Sequence, residues 1–449
     1  MVEYTKKTLM PVDAACLFHW HEHEDAFTRL LPPWERITLV RKDRSLKPGS
    51  EVHFKLRKGP LSLLWIARHS DYKPPNEFTD IQIKGPFKTW IHRHRMIPID
   101  PSVSELEDNI TFRLPGSIGE HLALRTIKRM FQYRHDVLQH DLQVQKALPN
   151  MPMTIAITGS SGMIGSALSA FLQTAGHKVI PIVRHTLSTH AIKWDPIKRE
   201  IQQEKLEGID AVINLSGENI GSGRWTKDKK KRIYESRIIG TQLLAKTLNH
   251  LKNPPRVFIS ASATGYYGED LKEACTESKI PGKSFLASLC REWEAAANLF
   301  KAGRCVTPRF GAVLSSSGGM LKKMLPAFRM GLGSIIGDGT QWVSWIALDD
   351  LIYSLYRLIT ENQLSGPVNL CSPYPVTNRE LTKTLGKILS RPTILSIPKF
   401  AIRMGFGEMG DATLLSSCKA IPKALQANNH TFYYPFLEDA VKHTLGRNF

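Results

Sequence analysis

The chain has 449 residues, 42% of them hydrophobic and 22% charged, with a formal net charge of +19. That length exceeds what one core serves, so two or three globular domains are expected. No apolar run approaches the roughly 18 residues that a membrane helix requires, and the cysteines have neither CxxC spacing nor scaffold density, so a cytoplasmic protein with no membrane span is expected.

The basic excess is spread along the chain, with one concentration, KDKKKR at Lys227 to Arg232, and no nucleic-acid module beside it. The run reads as the solvated face of a helix that helps attract an anionic ligand. Nucleic acid is not an expected partner.

In chain order, the first segment alternates strand-like runs with turn signals: WERITLV, EVHFKLRK, LSLLWIARHS, FTDIQIKG, KTWIHRHRMI and NITFRLP. The pattern RTIKRMFQYRHDVLQHDLQVQKAL closes it as a helix, with Ile127, Met130, Phe131, Val137 and Leu138 near helical spacing. A curved antiparallel sheet wrapped on a long helix is expected. His19, His21, His23, His92 and His94 raise a metal hypothesis, because alternate residues of a strand project to one face. No cysteine or carboxylate completes a convincing ligand set, so no metal is expected.

The stretch ALPNMP, Ala147 to Pro152, reads as a linker, since two prolines around an asparagine discourage a helix. After it come TIAIT, SALSAFLQTAG and KVIPIV, an alternation that points to a doubly wound α/β parallel sheet with helices on both faces. From about residue 370 the pattern is mostly short helices. The expected domains are therefore 1–146, 153–370 and 371–449.

Between TIAIT and its helix lie Gly159, Gly162 and Gly165, a GxxGxxG turn. The first glycine permits the tight turn, the second lets backbone approach a pyrophosphate, and the third lets helix lie close on strand. The helix N-terminus adds free N–H groups and partial positive charge, so a dinucleotide cofactor is expected. At the end of the second strand, where an acid would select NAD, the chain reads PIVRH, and the guanidinium of Arg184 suits a 2′-phosphate. NADP is the expected cofactor.

Further on, AVINLSGENI, GRWTKDKKKRIYESRIIGT, VFISASATGYYG, FLASLCREWEAAA, PRFGAVLS and GDGTQWVSWIALDDL occur in one order. From about Met153 onward the chain thereby resembles the epimerase-like branch of atypical short-chain dehydrogenases/reductases, and FGEMGDATLLSSCKAIPKAL resembles that branch's C-terminal extension. The first segment, with LLPPWERI, GPFKTWIHRHR and FQYRHDVLQHDL, resembles the START-like (SRPBCC) helix-grip domains that hold apolar ligands. The resemblance implies a Rossmann-type domain preceded by an α+β helix-grip domain. It also implies that Gly159, Ser160, Gly162, Met163, Ile164 and Gly165 cradle the pyrophosphate, that Arg184 meets the 2′-phosphate, and that Leu215, Ser216 and Gly217 lie against the adenosine half.

Relatives of this kind use a Ser, Tyr, Lys group, in which lysine lowers the pKa of a tyrosine that is otherwise a poor base at neutral pH. Ser262 matches the serine, but the region expected to carry YxxxK reads KSFLASLCREWE, with Phe285 and Leu289 near the two positions. Tyr266 or Tyr267 with Lys283, or Cys290, are conceivable replacements. Glu218, Asn219, Arg224, Trp225, Arg309, Gln341, Ser344 and Trp345 are candidate substrate-side positions, while Asp349 and Asp350 read as the N-cap and first-turn acids of a helix. Two functions follow: an NADP-dependent oxidoreductase or epimerase acting on a small organic or nucleotide-linked substrate, or a non-catalytic NADP-binding regulator whose front domain binds a hydrophobic ligand or protein.

Overall fold

A computed structural model of the chain describes residues 1–115, 117–148, 151–185, 189–269 and 273–447. Residues 149 and 150 of the expected linker lie outside the described residues. The chain divides into two compact units: Met1–Asn150 with Ala170–Gly176 and His443–Phe449, and Met151–Ser169 with His177–Lys442. Among the described residues no helix is long and apolar enough to cross a membrane.

The first unit is built on a seven-stranded antiparallel sheet of β1 (Val2–Met10), β2 (Arg36–Lys42), β3 (Glu51–Lys58), β4 (Leu61–Lys73), β5 (Glu77–Lys84), β6 (Thr89–Asp100) and β7 (Val103–Arg113). The order is β1-β7-β6-β5-β4-β3-β2, so β1 returns to pair with β7 along its full length. Two short helices, α1 (Ala14–Glu22) and α2 (Ala26–Arg29), join β1 to β2, and α3 (Ser117–Ala147) follows the sheet. Period-two alternation turns Trp90, His92, His94 and Met96 of β6 inward while Arg93 and Arg95 face out. Phe54, Trp65, Trp90 and Phe112 of the sheet form one apolar cluster with Ile127 and Phe131 of α3. The strand-like runs of the sequence thus correspond to β2–β7, whereas β1, whose EYTKKT alternates polar residues, carries too weak an apolar signal to be read.

In the second unit β8 (Thr154–Thr158) leads into α4 (Met163–Thr174) and β9 (Lys178–Val183). Next come β10 (Ile192–Asp195), β11 (Glu200–Ile201), β12 (Ala211–Asn214), α5 (Lys227–Asn249), β13 (Val257–Ser260) and β14 (Ser262–Ala263). Then α6 (Phe285–Ala297) precedes β15 (Arg304–Phe310), and later β16 (Gly366–Leu370) pairs with β15. The sheet runs β11-β10-β9-β8-β12-β13-β15-β14, parallel except for the β10–β11 pair. It is a Rossmann-type sheet. The chain goes from β8 to β9 on one side and later returns to β12 on the other, which places the topological switch point between β8 and β12.

The basic run opens α5, and its solvated reading holds in part: Lys227, Lys231 and Arg232 are exposed, but Lys229 is buried and pairs with Glu218. Asp349 and Asp350 both sit within the first turn of α7 (Leu348–Thr360), whose N-cap is Ala347, so neither is the cap. Asp350 accepts from the backbone N–H groups of Tyr433 and Tyr434 at 2.8 and 3.0 Å, and burial pushes its carboxyl up to about 7.

Candidate active site

The glycine turn leaves the carboxyl end of β8 at the switch point. Gly159 has φ +67°, and a Cβ there would stand 3.0 Å from the Leu215 carbonyl, so both conformation and space demand glycine. A Cβ on Gly165 would fall 2.2 Å from the Gly159 oxygen and 2.8 Å from the Ser160 Cα, because the first turn of α4 rests directly on the loop. Gly162 donates its N–H to Gly159 O at 2.9 Å and is exposed, as is Ser161. Ser160, Met163 and Ile164 are half-buried, and the first turn of α4 carries no acid. This cradle of backbone at a helix N-terminus fits a dinucleotide pyrophosphate.

Buried polar groups pin this turn to the loop after β12. Thr158 Oγ1 donates to Asn214 Oδ1 at 2.7 Å and accepts from the N–H groups of Leu215 and Ser216 at 3.1 and 3.2 Å. Asn214 Nδ2 in turn donates to Thr241 and Ser260. Leu215 and Ser216 are half-buried, and Gly217 is exposed beside the guanidinium of Arg237, which would lie 3.0 Å from a Cβ. Arg237 donates to Glu218 O and stands 5.1 Å from the Trp293 ring, and burial lowers its pKa from the ordinary arginine value. No motif in the sequence marks this second arginine. At the end of β9, Arg184 and His185 are exposed, and among the described residues no acid pairs with Arg184; residues 186–188 lie outside the described set.

Ser262 also leaves the carboxyl edge of the same sheet. It is 2% exposed and donates to Glu294 Oε1 at 2.7 Å. Both Glu294 oxygens accept from Arg309, at 2.8 Å from Nε and 2.8 Å from Nη2. Arg309 Nη1 continues to the Tyr267 hydroxyl at 3.0 Å, which donates to Asn369 Oδ1 at 2.6 Å. The Tyr266 ring lies 3.5 Å from the guanidinium. Burial holds the Tyr267 phenol well above its ordinary pKa. The structure therefore gathers Ser262, Tyr266 and Tyr267 around one arginine–glutamate pair.

On α6, Phe285 is half-buried with its ring 5.4 Å from Trp225, and Leu289 is buried. Lys283 is exposed. Cys290 is buried, and desolvation pushes its thiol up to about 11, away from any easy acid role. Glu294 was missed in the sequence, yet an acid among Ala287, Cys290, Trp293 and Ala297 on the buried helix face was a signal. Of the substrate-side candidates, Trp225 Nε1 donates to Ile220 O, Arg224 is tied to the carbonyls of Met404 and Gly405, and Trp345 is fully buried. Asn219 accepts from Gly221 N–H, Gln341 donates to Ile336 O and Leu414 O, and Ser344 donates to Cys418 O.

Residues 155–371 match the NAD dependent epimerase/dehydratase family, and residues 397–444 match a domain of unknown function, DUF1731. An epimerase family protein of Mycobacterium leprae is 39% identical over 296 residues, spanning 65% of this chain and 96% of the relative. The human epimerase family protein SDR39U1 is 34% identical over 294 residues, spanning 65% of this chain and 99% of the relative. A crystal structure of a nucleoside-diphosphate sugar epimerase from Corynebacterium glutamicum is similar over 99% of this chain and 90% of that one, with TM-score 0.83 and 33% identity. The human SDR39U1 crystal structure with NADPH is similar over 66% of this chain and all of that one (100%), with TM-score 0.62 and 32% identity. Sharing with these relatives the sheet, the glycine turn's region and the C-terminal domain, the chain belongs to the NAD(P)-dependent epimerase/dehydratase family of short-chain dehydrogenase type, in its SDR39U1-like branch.

Proposed function

We propose that the chain is an NADP-dependent oxidoreductase or epimerase acting on a small organic or nucleotide-linked substrate. The observation that carries this reading is that the glycine turn, the loop at Leu215 to Gly217 and Ser262 all leave the carboxyl edge of one parallel sheet. Gly159, Ser160, Gly162, Met163, Ile164 and Gly165 hold the pyrophosphate, Leu215, Ser216 and Gly217 line the adenosine half, and Arg184 pairs with the 2′-phosphate. When bound, the nicotinamide supplies a hydride donor or acceptor. Ser262 orients the reacting oxygen. Its own proton goes to Glu294, so its oxygen meets a substrate hydroxyl as an acceptor, and Arg309 stabilises the Glu294 anion behind it. Tyr266 and Tyr267 hold that arginine in place.

The domain layout belongs to the same proposal: 1–146 as a START-like helix-grip domain for an apolar ligand, 153–370 as the NADP domain, and 371–449 as the extension at the substrate edge. The antiparallel sheet, the long α3 and an apolar cavity of about 380 Å³ support the first assignment. A second reading, a non-catalytic NADP-binding regulator, is favoured by Phe285 and Leu289 in place of YxxxK.

Calorimetric titration with NADPH and NADH comes first, on the wild type and Arg184→Ala, followed by NADPH oxidation against carbonyl and sugar-nucleotide panels. Turnover that is lost in Ser262→Ala supports the enzyme. Tight NADPH binding with no turnover across the panels supports the regulator, and no binding of either nucleotide to folded protein removes both readings.

A further inference from the structure

The cavity of the first unit is lined on most sides by apolar groups, among them Phe54, Trp65, Phe87, Trp90, Ile127 and Met130. One part of its lining is sharply different: His69, Asp80, His92 and His94 from three neighbouring strands, with His21 from α1 and Arg134 from α3. Imidazoles and carboxylates at the back of an apolar cavity are costly to desolvate, so their arrangement calls for a reason.

Strand register brings them together. Asp80 of β5 lies opposite His92 of β6, and His94 lies opposite Asp108 of β7. Asp80 Oδ2 stands 3.1 Å from His92 Nδ1 and 3.5 Å from His94 Nε2. One ligand atom from each of the three residues lies within 4.8 Å of the others. Bonds of roughly 2.0–2.2 Å from nitrogen and oxygen to a transition metal put neighbouring ligands about 3–3.5 Å apart, which is the spacing of the two measured edges. The far nitrogens of both rings face one second carboxylate: Asp108 Oδ1 is 3.3 Å from His92 Nε2 and 2.7 Å from His94 Nδ1. His135 Nε2 holds the other Asp108 oxygen at 3.0 Å. A carboxylate behind metal-binding histidines fixes their tautomer and orientation. His92 Nε2 and His94 Nδ1 are buried against Asp108 Oδ1, so it is their second nitrogens, His92 Nδ1 and His94 Nε2, that turn to Asp80.

We infer that Asp80, His92 and His94 bind a divalent first-row transition metal, with Asp108 as the carboxylate that positions both imidazoles. Two histidines and one carboxylate leave coordination positions open, and here they open on the apolar cavity. With Arg134 on the same wall, the site suits an apolar molecule that carries an anionic oxygen head group. Metal binding itself stands on the sheet geometry and is independent of the dehydrogenase reading; only the ligand class rests on reading this unit as a helix-grip domain. The other histidines fall outside the set: His19 is exposed beside Glu22, its ring 5.0 Å from that of His23, and His21 is bonded through Nδ1 to Leu17 O.

The test uses the full chain, stripped with chelator and titrated with Co²⁺ and Zn²⁺. Expected are one equivalent of tightly held Co²⁺ with visible ligand-field bands, displaced by Zn²⁺, and binding weakened about tenfold or more in Asp108→Asn. His94→Gln, checked for native circular dichroism, abolishes the bands, and NADPH affinity is unchanged in both variants. Folded wild-type protein that takes up no ion overturns the proposal. So does a thiolate charge-transfer band, which would put the cobalt on cysteine, or binding unaffected by both substitutions.

Discussion

Glu294 accepts the Ser262 hydroxyl on the same oxygen that accepts Arg309 Nε, while its second oxygen takes Arg309 Nη2. The Ser262 hydroxyl is thus anchored on a buried ion pair. Removing one partner of a buried pair leaves an uncompensated charge, so Arg309→Met is expected to cost about 3–5 kcal/mol in urea unfolding. A paired change, Glu294→Leu with Arg309→Met, should recover much of that loss. A single-mutant cost under about 1 kcal/mol would show that the pair is not desolvated as its burial indicates.

Gly165→Ala is expected to abolish nucleotide binding, because the added methyl meets the Gly159 oxygen at 2.2 Å and must push helix away from turn. Arg184→Ala is milder. It should weaken NADPH about tenfold or more, through loss of a charged hydrogen bond, and leave NADH unchanged. Isothermal titration reads both, and an equal loss for the two nucleotides would remove Arg184 from the 2′-phosphate site.

Tyr267→Phe separates a positioning role from proton transfer. Loss of the hydroxyl strands Asn369 Oδ1 and one Arg309 donor, which should cost about 1–3 kcal/mol of stability. The pH profile of turnover should keep its shape near neutrality, since burial keeps this phenol protonated. A folded Tyr267→Phe protein with no turnover at any pH would instead make the tyrosine a proton donor.

His177 gives a pH dependence of stability. It is buried, accepts from Met153 N–H on Nδ1 and meets the Tyr356 hydroxyl through Nε2, and burial lowers its pKa to about 4. The unfolded chain binds a proton near pH 6.5, the folded chain only near 4, so this stabilisation is complete above 6.5 and is lost as pH falls between those values. Between pH 7 and pH 5 the loss is on the order of 1 kcal/mol after allowance for partial solvent access. Guanidinium melts of wild type and His177→Gln at both pH values check it: the variant should show the smaller drop, and equal drops would exonerate the imidazole.

Much of the second unit was legible because its signals are local. An apolar strand, three glycines at fixed spacing and an amphipathic helix impose strand, turn and helix on their own residues, and the Cβ clashes at Gly159 and Gly165 are the physical form of that spacing. Six of the seven strands in the first sheet were likewise written in apolar alternation, as was α3. The absence of YxxxK was visible too, since a missing side chain needs no fold to be noticed.

What the sequence could not determine was which distant polar residues meet. Glu294, Arg309, Tyr267 and Asn369 span four separate stretches and become one network only when α6 lies against the sheet and β16 pairs with β15. The carboxylate that His92 and His94 lacked comes from Asp80 on the adjacent strand, delivered by antiparallel register and not by spacing along the chain. Local sequence determined the turn and the elements because backbone conformation is decided over a few residues. Tertiary structure alone decided the buried charges, because a charge finds its partner through packing.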